Sequence, residues 1–84
     1  MIFPTIHLNG TNAQDLLEDQ LKAMNAIRNA IQALQNAGPN GRDYYPQGSQ
    51  AFQHAQEEHE QRLLVLRNVL AELETIAEHV AKSI

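Results

Sequence analysis

Cysteine is absent from the 84 residues, which removes disulfide staples, thiolate metal sites and a thiol nucleophile in one stroke. No apolar run approaches the roughly 20 residues of a membrane span. The opening Met-Ile-Phe-Pro-Thr-Ile-His stretch lacks the basic region and long apolar core of a secretory signal. A basic surplus is missing too: six Lys and Arg stand against ten Asp and Glu, for a formal net charge of −4. General nucleic-acid binding draws on such a surplus, so neither nucleic acid nor a membrane is an expected partner, and the expected setting is the cytoplasm. Glycine and proline are scarce outside one stretch, because three of the four glycines and two of the three prolines fall between Gly38 and Gly48.

The side chains that carry catalysis are equally thin. A zinc site on a helix uses two histidines four residues apart. His54 and His59 are five apart and so lie on different faces, while His7 and His79 are remote from both. No metal or cofactor is expected. His59 falls in an apolar seam and reads as a hydrogen-bonded core residue, with Gln56 or Gln20 as its partner. Glu57, Glu58 and Glu60 spread over several helix faces and read as a solvated surface. The two serines, Ser49 and Ser83, stand at helix ends. Acyl transfer or hydrolysis needs a nucleophile, an oriented base and a pocket that excludes water, so no enzymatic activity is expected.

What is present is helical periodicity. The chain reads as one domain, 1–84, of the all-α class: an antiparallel two-helix hairpin, coiled-coil-like, with a short N-terminal β-strand. Residues 2–8 alternate in the strand sense, although Pro4 confines such a strand to an edge. Thr11 to Gln14 has the form of a capping box, opening a helix over 12–37 with the stripe Leu17, Met24, Ile27, Ile31, Leu34. Gln20 sits where that stripe calls for a larger apolar residue. Gly38-Pro39 stops the helix, residues 38–48 form the loop, and Ser49 caps a second helix over 49–82. Its seam runs His59, Leu63, Leu66, Leu70, Leu73, Ala77, Val80, Ile84 in steps of four and three, the spacing of a coiled coil. Val65, Val69 and Ile76 widen the apolar face beyond one seam. A chain of this size buries only about 60–65% of its unfolded surface, and the orphan strand and extra face both point to a homo-oligomer. A simple fold-back sets Leu34 near Phe52, Ile27 near His59, Met24 near Leu63 and Leu17 near Leu70. It leaves the end from Ile76 to Ile84 overhanging, to be covered by the N-terminal segment or by a neighbour.

The candidate site is the loop, because a helix connection needs only about 2–8 small residues and this one also holds Arg42, Asp43, Tyr44 and Tyr45. Two readings stand. Either the tyrosines close the end of the hairpin core, or they form a binding surface together with Asn40, Arg42 and Gln47. Pro46 pushes Tyr45 toward an extended backbone, so one ring covers Leu34 and Phe52 while the other is presented. Asp43 either leaves Arg42 free or holds it in place. The simple register also brings Arg28 near Arg62, either as a basic stripe for phosphates or as ordinary partners of nearby carboxylates.

The run Asn40-Gly41-Arg42-Asp43-Tyr44-Tyr45-Pro46-Gln47-Gly48, with Ile6-His7-Leu8-Asn9-Gly10-Thr11 before it and Ala77-Glu78-His79-Val80 after it, resembles a group of small, uncharacterised phage and prophage helical-hairpin proteins. The resemblance spans nearly the whole chain, and Arg-Asp-Tyr-Tyr is its most specific part. It implies a phage origin and work in the cytoplasm of a bacterial host, in counter-defence. In architecture alone the chain is similar to phage sponges that sequester cyclic-nucleotide signals, and no site residue carries over from them. The resulting expectation is a non-enzymatic binding protein that sequesters a phosphorylated or cyclic-nucleotide signal. The alternatives are an inhibitor or adaptor docking on a host defence complex, and a phage structural or assembly protein.

Overall fold

Asn12, not Thr11, opens the first helix. In the computed structural model, which describes residues 1–84, α1 spans Ala13–Asn36. The Asn12 Oδ1 accepts the Asp15 backbone N–H at 2.8 Å, and its Nδ2 donates to the Asp15 carboxylate at 3.0 Å. The short amide side chain satisfies one of the amides a helix start leaves orphaned, and Asp15 adds negative charge where the dipole favours it. The helix ends in a tight turn, with the Gly38 N–H donating to the Gln35 carbonyl at 3.2 Å. Gly38 keeps a negative φ, and its lack of a side chain eases a close approach. A Cβ there would lie 3.3 Å from the Gln35 carbonyl oxygen and 3.6 Å from the His59 ring.

The connection is built rather than loose. Two 3-10 turns, Gly41–Asp43 and Tyr45–Gln47, fill most of it. Asn40 caps the first, its Oδ1 accepting the Arg42 N–H at 3.1 Å. Pro46 sits at the start of the second, where its missing N–H costs nothing. Tyr45 therefore begins a turn instead of adopting the extended backbone expected before proline. Gly48 has a φ of 110°, in a region essentially reserved for glycine, and it redirects the chain into α2, Ala51–Ala81. Ser49 is not the cap expected of it: Gln50 holds the N-cap position, with no side-chain hydrogen bond.

These turns reset the register of the hairpin. The loop lies back along the first two turns of α2, with the Gly41 backbone against the Phe52 ring and Ala51, Phe52 and Ala55 half-buried. The end of α1 consequently meets α2 at the level of His59. His59 faces Leu34, not Ile27: its Nε2–H donates to the Leu34 carbonyl at 2.7 Å. At the far end Asn12 and Ala13 share a surface hollow with Ser83 and Ile84. The 24 residues of α1 thus cover α2 from His59 almost to its end. The expected overhang from Ile76 to Ile84 does not exist; Ala77 is buried and Val80 is 0% exposed.

The expected N-terminal β-strand is also overturned: residues 1–7 hold no regular structure and no strand occurs in the chain. The physical reason is the one that made the strand an orphan. A lone segment with no neighbour to bond gains nothing from strand geometry, and Pro4 removes a donor. The segment instead lies on the C-terminal part of α2, where Phe3 stacks on His79 with ring centroids 4.4 Å apart and planes 13° apart. Pro4 and Ile6 are half-buried, whereas Ile2 and Leu8 face solvent.

The result is a rod of 62 × 21 × 17 Å. Its core is one residue deep, built from Met24, His59, Leu63, Ala77 and Val80 with Ala13 at the rim. The coiled-coil seam faces inward along its length except at Ile84. Gln20, within the α1 stripe, has its Oε1 buried without a hydrogen-bond partner.

Candidate functional site

Two grooves flank the point where α1 stops and the loop turns back, and Pro39 and His59 lie in both. The larger, about 350 Å³, is walled by Gln35, Gln56, Glu60 and Arg67. The smaller, about 200 Å³, lies on the opposite flank among Ala37, Tyr44, Ala55, Glu58 and Arg62. His59 is fixed between them by its bond to the Leu34 carbonyl, which also accepts the Ala37 N–H at 3.1 Å in the turn that ends the helix. Each groove holds a carboxylate as well as a cation. Arg62 lies 3.7 Å from Glu58, and Glu60 shares the larger groove with Arg67. Neither groove is a net cationic cradle for a phosphate dianion.

The loop divides its tyrosines. Tyr44 is half-buried, its ring 6.4 Å from that of Phe52 and tilted by 34°, so it closes the end of the hairpin core. Tyr45 is 77% exposed. Arg42 is exposed, and its guanidinium makes neither an ion pair nor a hydrogen bond; Asp43 does not hold it. Asn40 is spent on capping the first turn. Gln47 is exposed, its backbone N–H bonded to the Tyr44 carbonyl at 3.0 Å.

Of the residues singled out in the sequence, the structure therefore gathers Asn40, Arg42, Tyr44, Tyr45 and Gln47 on one loop and adds Arg62 through the groove it shares with Tyr44. Arg28 is not part of this set. It lies 3.6 Å from Glu74 and donates to the Asn25 Oδ1 at 3.2 Å. Residues 62 and 74 are separated by about 18 Å along α2 at ~1.5 Å per residue, so the reset register dissolves the expected pairing of Arg28 with Arg62. Both arginines have ordinary carboxylate partners instead. Pro39, Glu58 and Gln56 line the grooves without having been singled out for them. Their only sequence signal is nearness to the loop, which becomes meaningful once the loop is known to fold back on α2.

No group of three or more His, Asp or Glu side chains is placed to hold a metal ion, and neither helix is long and apolar enough to cross a membrane. Comparison with family models, with curated proteins and with solved structures finds no match.

Proposed function

We propose that the chain is a non-enzymatic binding protein whose working unit is a homo-oligomer of hairpins, and that the loop over residues 38–48 docks on a partner protein. On the resemblance to phage and prophage proteins, that partner is a component of a host defence complex. One observation carries the reading: Tyr45 is 77% exposed and Arg42 is unpaired beside it, on a loop held by two 3-10 turns and by the packing of Tyr44 on Phe52. Rigid, presented tyrosine and arginine are the side chains that dominate protein interfaces, and fixing the loop in advance lowers the entropy cost of docking. Sequestration of a phosphorylated signal has less support, since Glu58 pairs with Arg62 in one groove and Glu60 lines the other along with Arg67.

The test uses the tagged chain against lysate of a bacterial host, beside its Tyr45→Ala and Arg42→Ala variants. A specific partner is retained by the wild type. Each substitution weakens it by about 2 kcal/mol, roughly 30-fold in Kd, with melting unchanged because neither side chain supports the core. Equal capture by all three forms overturns the reading. So does a rise in melting temperature with cyclic nucleotides, which would restore sequestration; saturation at a hundredfold excess over Kd contributes about 2.7 kcal/mol and is readily detected.

A further inference from the structure

The two flanks of the hairpin differ in character. On one, polar side chains recur in steps of seven: Arg28 and Gln35 on α1, and Glu60, Arg67 and Glu74 on α2. The Arg28–Glu74 pair and the larger groove join these two lines across the helices. On the other flank α1 carries Ala23, Ala30 and Ala37, and α2 carries Arg62, Val65, Val69 and Ile76 in steps of three, four and seven. Ala37 and Arg62 wall the same groove, which places these two lines on one side. Ala30 and Ala37 are exposed, Val65 is 60% exposed and Val69 39% exposed.

We infer that the Ala23–Ala30–Ala37 and Val65–Val69 flank is the interface between two copies of this chain, packed side by side as a parallel pair about a two-fold axis that runs along the rods. The inference rests on the homo-oligomeric reading above and names its surface. Two features select a second copy as the occupant. The first is area. A compact folded chain of this mass exposes about 5,000 Å² and has a radius of gyration of about 12 Å, against 6189 Å² and 18.6 Å here. The surplus is larger than the roughly 800 Å² that each partner buries in a stable interface. The second is shape. The flank sets a valine ridge on α2 beside an alanine trough on α1, and a two-fold operation lays the ridge of each copy into the trough of the other. Small residues let the helix backbones approach, and the β-branched ridge fills the space between them. The N-terminal segment leaves Val65 and Val69 open, at 60% and 39% exposed, with Phe3 stacked farther along, at His79. The loop with Tyr45 projects from the end of the rod, so both copies of the docking element stay free.

The test is sedimentation equilibrium of the full chain at micromolar concentration, with helix content followed by circular dichroism. The expected mass is twice 9.4 kDa. Val65→Lys combined with Val69→Lys, and separately Ala30→Gln to fill the trough, each raise the dimer dissociation constant at least tenfold while keeping helical content. Leu21→Lys, on the polar flank, and Tyr45→Ala, on the loop, leave it unchanged. The alanine-line variant keeps the test decisive should the lysine pair unfold the chain. A monomeric wild type overturns the inference, and so does a dimer that survives the Val65, Val69 and Ala30 changes or is broken by Leu21→Lys. A monomeric wild type whose capture of a partner is still weakened by Tyr45→Ala and Arg42→Ala sinks the interface alone. A dimeric wild type whose capture is unchanged by Tyr45→Ala and Arg42→Ala sinks the loop reading alone.

Discussion

His59 shows how much one polar residue in an apolar seam can organise. A buried imidazole without partners would be costly, yet here its N–H meets the Leu34 carbonyl at 2.7 Å and locks the end of α1 to a defined level of α2. A hydrogen-bonded role for His59 follows from its place in the heptad, but the identity of the partner does not. The expected candidates were the side chains Gln56 and Gln20, whereas the acceptor is a backbone carbonyl at the helix end. Gln20 is the opposite case. Its Oε1 is buried without a partner, and an unsatisfied buried acceptor costs about 1–3 kcal/mol. Gln20→Met, similar in volume and free of that penalty, should stabilise the chain by about 1–2 kcal/mol. Urea unfolding should show this as a higher midpoint at unchanged slope. A lower midpoint would mean that the amide is satisfied in solution.

At the scale of elements, the connection decides more than either helix does. Both helices are written plainly in the sequence, and their observed bounds, Ala13–Asn36 and Ala51–Ala81, differ from the expected 12–37 and 49–82 only at the caps. The loop is legible as chemistry, since its glycines, prolines and tyrosines mark it as a built structure. Its path is not legible, because two 3-10 turns and one glycine at φ 110° fold it back along α2 instead of over the tip. Gly48 is the hinge of that path. No atom lies within 4 Å of where its Cβ would stand, so Gly48→Ala creates no clash and probes the backbone alone. The substitution should cost about 1–3 kcal/mol, read as a fall in thermal stability with the helices retained. An unchanged melting temperature would show that the loop relaxes to another conformation at no cost.

At the scale of the whole molecule, one hairpin seam leaves a thin core and a large surface, and two devices act on that surface. One is the N-terminal segment, anchored by Phe3 on His79 with Pro4 and Ile6 half-buried. Deleting residues 1–7 should remove about 2 kcal/mol of apolar burial and lower the melting temperature by about 10 °C. It should leave both helix content and association intact, since the segment is not a strand and its Phe3 packs on the chain's own His79. Loss of the dimer on this deletion would mean that the segment, not the alanine and valine flank, joins the copies. The other device is that flank itself. Its second apolar line is visible in the sequence, but its alignment with the alanine line of α1 on a single side follows only from the packed pair.

The sequence by itself determined the class of this protein: two amphipathic helices, a turn-rich connection with two tyrosines and an arginine, and a seam in heptad spacing. Those features depend on local propensity and periodicity, which act over a few residues and need no partner. The tertiary structure alone decided the register, the fate of the N-terminal segment and the membership of the site. A heptad seam packs nearly as well when slid by seven residues, so periodicity cannot choose among registers. The choice fell to the folded loop and the His59–Leu34 bond, which buried Val80, parted Arg28 from Arg62 and set Arg62 beside Tyr44.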